Sequence, residues 1–153
     1  MRSVAKWGAV IGVATYIVSL AIFYINDLID GSAPADPAHP TAVALGCLEL
    51  LVIAFAFSAA GFYAGRDTRV AGYGALAGML TCAVYGILRA VVPLAQQAAS
   101  ATPGLTAGQQ LAISIVSDVI ILGVAALIGW LGGRPGAARG KIRAARATDS
   151  NAQ

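Results

Sequence analysis

The chain has 153 residues, 58% of them hydrophobic and only 11% charged, with a formal net charge of +3. Soluble domains carry about 25% charged residues, so these numbers exclude a water-soluble globular domain and indicate a single membrane-embedded one. The surplus of Lys and Arg implies no nucleic-acid partner, because its placement along the chain is explained by membrane topology.

The first predicted element is a helix over about residues 5–28. Trp7 to Ile25 is a run of 19 residues without a charge, close to the ~20 needed to cross the hydrocarbon core. Lipid forces such a lone apolar run into helix, since no water satisfies its backbone. Ser32-Ala33-Pro34-Ala35 loosely resembles a cleavage site. The apolar run, however, is longer than the 7–15-residue core of a signal peptide, so the helix is read as retained. The loop that follows, Asn26 to Pro40, holds Asp27, Asp30 and Asp36 and no Lys or Arg.

Helices are predicted next over about residues 41–65, 70–96 and 109–133. Thr41 to Gly65 contains one charge, Glu49; Val70 to Ala95 one, Arg89; and Gln110 to Gly133 one, Asp118. The turn between the second and third helices carries Arg66 and Arg69, and the loop Gln96 to Gln109 is uncharged. Residues 134–153 follow as a basic tail with Arg134, Arg139, Lys141, Arg143 and Arg146. Its low apolar content predicts disorder, and attraction to anionic lipid is worth about 1 kcal/mol per basic residue.

Basic residues stay on the cytoplasmic side of a membrane. Nine of the ten here agree on one topology, with Arg2 and Lys6, the 66–69 turn and the tail all inside. The predicted fold is therefore an all-α, polytopic bundle of four transmembrane helices in a bacterial plasma membrane, N-in and C-in.

The bundle also reads as two tandem hairpins. Trp7-Gly8-Ala9-x-x-Gly12-x-x-Thr15 is matched 66 residues later by Tyr73-Gly74-Ala75-x-x-Gly78-x-x-Thr81. Gly61-Phe62-Tyr63-Ala64-Gly65-Arg66 is matched 68 residues later by Gly129-Trp130-Leu131-Gly132-Gly133-Arg134. These motifs give each helix one Gly-x-x-x-Gly pair: Gly8/Gly12, Gly61/Gly65, Gly74/Gly78 and Gly129/Gly133. Small residues let helix backbones approach closely in lipid, so the bundle should be pinched at its cytoplasmic end. The pairs either pack this monomer or build a homodimer. The Gly-x-x-x-Gly-Arg turn into a second Gly-rich helix, Gly61 to Gly78, resembles a pattern in small uncharacterised four-helix bacterial membrane proteins. That resemblance implies an architecture and a plasma-membrane location, and no activity.

Glu49, Arg89 and Asp118 are the candidate functional residues. At 1.5 Å per residue, Glu49 and Asp118 lie ~12 Å, and Arg89 ~10 Å, below the outer ends of their helices. An unpaired charge there costs at least ~2.5–3.5 kcal/mol, so the three should face one another. Tyr85 and Thr81 share a helix face with Arg89, and Ser114 lies one turn from Asp118. The cluster reads either as an ion-pair network locking three helices or as a proton, cation or ligand site, since one negative charge is left over.

No catalytic motif and no cofactor site stands out, and no metal is expected. The one histidine, His39, could meet Asp30 or Asp36, but that spacing matches no ligand pattern. Cys47 and Cys82 fall at depths of ~9 and ~20 Å, too far apart for a disulfide. Trp7, Tyr24, Phe62, Tyr63, Tyr73 and Trp130 lie near helix ends, as interfacial anchors do. The expected role is non-enzymatic, as a structural protein or an accessory subunit partnered by a second copy or a larger membrane complex. The alternative is a small dimeric transporter or channel using the Glu/Arg/Asp cluster. Four-helix multidrug exporters are a poor match, because their essential carboxylate is in the first helix and none stands there here.

Overall fold

The computed structural model describes residues 1–30, 40–91 and 107–151, which form four helices. These are α1 (Arg2–Asp30), α2 (Pro40–Thr68), α3 (Gly72–Val91) and α4 (Ala107–Asn151). Among the described residues, three stretches are long and apolar enough to cross a membrane: Arg2–Ile25, Val43–Thr68 and Ile115–Asp149. The α3 helix packs among them. Residues 92–96 of its predicted span lie outside the described residues, as do His39, Asp36 and the loop around Thr102.

The α2–α3 junction is tight. Arg69 takes a left-handed conformation, φ 61°, the usual way to end a helix when no glycine is at hand. The Thr68 hydroxyl donates back to the Ala64 carbonyl at 2.7 Å, and the Val70 amide donates to that hydroxyl at 3.4 Å. Gly74 N–H then donates to Ala71 O at 2.9 Å as α3 begins. Helix α2 thus runs three residues beyond its predicted end.

Backbone contact dominates the end of the bundle nearest this turn. A Cβ on Gly61 would strike the carbonyl of Gly129, and one on Gly65 would stand 2.5 Å from the carbonyl of Gly133. Because both numbers rise together, α2 and α4 are parallel. Gly74 and Gly78 approach Gly129 and Ala125 in the opposite order, so α3 is antiparallel to α4. Ala60, Ala64 and Ala77 are fully buried where α2 and α3 meet Val4 of α1, and Ala125 is fully buried in this three-helix seam. Helix α1 lies outside it, parallel to α3. There Gly8 receives the Leu80 side chain and Gly12 receives Val84, a ridge-into-groove contact.

Two features differ from the sequence reading. The first is the tail, which was expected to be disordered from residue 134 on. Instead α4 continues to Asn151, through Pro135. Gly132, Gly136 and Gly140 meet the backbones of Ser58, Phe62 and Arg66 in turn, so the glycine seam extends two helical turns past the last apolar residues. The alanines and arginines beyond are strong helix formers. At 45 residues the helix is ~68 Å long, more than twice the ~30 Å hydrocarbon thickness, so it projects well beyond the bilayer.

The second is the unequal use of matched motifs. Gly74 and Gly78 face the helix that follows them, whereas Gly8 and Gly12 face α3. The matched threonines behave more alike. Thr15 and Thr81 are both buried, and each donates to the carbonyl four residues back, at 2.7 and 2.9 Å.

Candidate functional site

The polar residues gather in the half of the bundle away from the α2–α3 turn. From Ala112 to Ile121, every α4 side chain described is exposed, and Gly46, Gly86 and Gly123 have nothing within contact of a would-be Cβ. There, polar side chains bridge between the helices.

Glu49 on α2 is the hub. Its Oε1 accepts a hydrogen bond from the Ser19 hydroxyl of α1 and one from the Tyr85 hydroxyl of α3 at 2.9 Å. Arg89, one turn beyond Tyr85, donates from Nη1 to the Tyr85 oxygen at 3.1 Å and lies 3.8 Å from Glu49 Oε1. Ser19 and Tyr85 are themselves 3.1 Å apart. The guanidinium carbon sits 6.0 Å from the Tyr85 ring centre. Three residues from two helices, α1 and α3, therefore converge on one carboxylate oxygen of α2. Burial is uneven: the Glu49 side chain is 28% exposed and the Arg89 side chain 63%.

Not every predicted member belongs. Asp118 is exposed, and among the described residues it makes no ion pair with Arg89. Equal depth fixes height along the bundle but not rotation, and α4 carries this residue to the Cys82 side of α3 rather than to Arg89. Thr81 is fully buried, but it donates to the Ala77 and Gly8 carbonyls, which ties α3 to α1. It lies two turns from Arg89 along α3. The Ser114 side chain lies outside the described residues. Ser19 was missed, although the depth argument reaches it: it lies about 14 Å below the end of the predicted first helix, level with Glu49. The Tyr16 hydroxyl, one turn before Ser19, is buried and has no hydrogen-bond partner among the described residues.

The site can hold a negative charge, with two hydroxyls and one guanidinium arranged to compensate it. Among the described residues no three His, Cys, Asp or Glu side chains gather as a metal site would need, and both cysteines are free.

A different constellation closes the glycine-packed end. Asp67 accepts from the Trp7 indole N–H at 2.7 Å and from Ser3 at 3.1 Å, and Arg66 Nε lies 3.5 Å away. Trp7 stacks on Tyr63 with ring centres 4.5 Å apart. These contacts pin the start of α1 to the end of α2, so Trp7 and Tyr63 hold each other as well as facing the interface. No protein-family model matches this chain, and neither a curated protein nor a solved structure is significantly similar to it.

Proposed function

We propose that this chain is a non-enzymatic, four-span protein of a bacterial plasma membrane, with both termini cytoplasmic, that serves as an accessory subunit of a membrane assembly. The observation that carries the reading is the outward presentation of charge on the outer half. Arg89 is largely exposed and Asp118 is exposed, each the one charge of its block. Lipid is a poor solvent for either, at a cost of at least ~2.5–3.5 kcal/mol. A polar helix of another subunit, or of a second copy, laid against α3 and α4 would remove that cost. The glycine-packed end needs no such partner. Orientation is supported by the nine basic residues on one side, and the fourth span by the continuous apolar block Val70 to Ala95. Parallel pairing of α1 with α3 and of α2 with α4 supports descent from a doubled hairpin.

The test is isolation in mild detergent with cross-linking from Val119→Cys, a position on the exposed face. A specific cross-linked partner is expected, weakened by Asp118→Asn. A chain that stays monomeric and uncross-linked in native membranes sinks the proposal.

A second reading is favoured by Glu49, whose oxygen is approached by two hydroxyls and a guanidinium. Such a carboxylate can act as the proton-coupling group of a small dimeric transporter or channel. Reconstituted protein should then support a proton-coupled flux that Glu49→Gln abolishes. Absence of any flux difference between the two leaves the accessory role.

A further inference from the structure

The cytoplasm-proximal end holds a second polar site that neither functional reading uses. Along α4, Arg139, Arg143 and Arg146 recur at spacings of four and three, which puts them on one helix face. That face is turned toward the last turns of α2, and between the two helices lies a cleft of about 600 Å³ floored by Phe62 and Tyr63 and bordered by Arg66 and Ile142.

The cleft is built rather than incidental. Gly136 and Gly140 bring α4 onto the Phe62 and Arg66 backbones, fixing the height of the arginines against α2. Two guanidiniums are oriented by rings, Arg139 at 5.4 Å over Phe62 and Arg66 at 5.1 Å over Tyr63. Stacked guanidiniums are pre-organised donors, with their edges free for bidentate hydrogen bonds. Only Arg66 has a carboxylate, Asp67 at 3.5 Å. Among the described residues no carboxylate pairs with Arg139, Arg143 or Arg146. Like charges a turn apart repel, so four arginines around one cleft are an arrangement that an anion relieves. The planar fork of arginine matches the oxygens of phosphate, as of carboxylate, through two parallel hydrogen bonds.

Position selects the source of that phosphate. Trp130, with Arg134 4.5 Å above its ring, marks where α4 leaves the hydrocarbon. Arg139 lies about 14 Å further along the helix, but its guanidinium reaches back over the Phe62 ring, at the interfacial end of α2, and the exposed Ile142 offers apolar contact beside it. We infer that this cleft is a specific binding site for the phosphate of an anionic membrane phospholipid, gripped by Arg139 and Arg143 from α4 and by Arg66 from α2. The site goes beyond a diffuse attraction between a basic tail and the membrane, and it stands whether or not the outer half docks a partner.

The experiment is native mass spectrometry of the full chain in detergent, titrated with phosphatidylglycerol or phosphatidylcholine. Phosphatidylglycerol should bind at a saturable single site, and the pair Arg139→Gln/Arg143→Gln should weaken it about 30-fold, from about 1 kcal/mol per basic residue. The pair Arg2→Gln/Lys6→Gln removes the same charge from the same end and should change binding by no more than about twofold, given screening across the helix bundle. Arg139→Lys/Arg143→Lys keeps the charge and the fold but removes the fork, and it should also weaken binding. Full binding by the Lys pair, or equal loss in the Arg2/Lys6 control, would show attraction to bulk charge and overturn the site. No preference over phosphatidylcholine overturns it as well. Displacement of the lipid by equimolar inorganic pyrophosphate would overturn the lipid in favour of a soluble phosphate.

Discussion

The two ends of this bundle are held together by opposite means. Near the α2–α3 turn, three helices meet backbone to backbone, so closely that Gly61, Gly74 and Gly129 have no room for a methyl group. In the half away from that turn, the glycines at 46, 86 and 123 are exposed and touch no other helix, and the bridge is a carboxylate reached by Ser19, Tyr85 and Arg89. Lipid supplies no hydrophobic drive between helices, so close packing and polar contact are the available sources of adhesion. Packing of this kind tolerates no added volume, whereas the polar bridge tolerates volume but not loss of a partner. The comparison is useful because each end predicts a different response to the same substitution.

The largest effect should come from adding bulk at the closed end. Gly61→Leu must separate α2 from α4, at about 3 kcal/mol or more, while Gly123→Leu should stay within about 0.5 kcal/mol. Reversible unfolding in mixed micelles measures both, and equal tolerance at the two positions would erase the distinction between the ends.

The next effect tests how far the closed end reaches. Gly136→Leu places a side chain against the Phe62 carbonyl and should cost about 1–3 kcal/mol. Ala138→Leu, on the exposed side of the same turn, should cost almost nothing. A tail that does not pack would make the two variants indistinguishable in the same unfolding assay.

Loss of a partner at the open half should be smaller. Arg89→Leu leaves Glu49 with two hydroxyls and no cation, and Glu49→Gln added to it should restore most of the lost stability. The double-mutant coupling should be about 1 kcal/mol, in the range of polar contacts within membranes. A coupling near zero would mean that Arg89 is committed elsewhere, and the open half would then lack its ionic bridge.

The smallest effect lies at the seam between α1 and α2. Trp7→Phe keeps the stack on Tyr63 but removes the indole donor to Asp67, worth about 0.5–1 kcal/mol at an exposed site. Hydrogen exchange of the first turns of α1 should accelerate, while the glycine seam stays protected. Equal acceleration in both places would show that α1 and the seam open as one unit.

The sequence by itself determined the solvent, the helices and the levels along them. Long uncharged runs in a chain with 11% charged residues can be stable only in lipid, and lipid leaves helix as the one way to satisfy their backbones. Glycine spacing located the closed end, and residue counting placed Glu49 and Arg89 at one depth, because rise per residue is fixed. Other features needed the tertiary structure. Rotation about each helix axis decided that Ser19 reaches the carboxylate and that Asp118 does not, and depth carries no information about rotation. The approach of α4 to α2 decided that Gly132, Gly136 and Gly140 extend the seam. The repeat was present in the sequence as three glycines four apart, but its apolar surroundings end at Gly133, so hydropathy marked the rest as tail. A basic helix and a basic disordered tail have the same composition. Contact with the Phe62 and Arg66 backbones distinguishes them, and it turns four scattered arginines into the walls of one cleft.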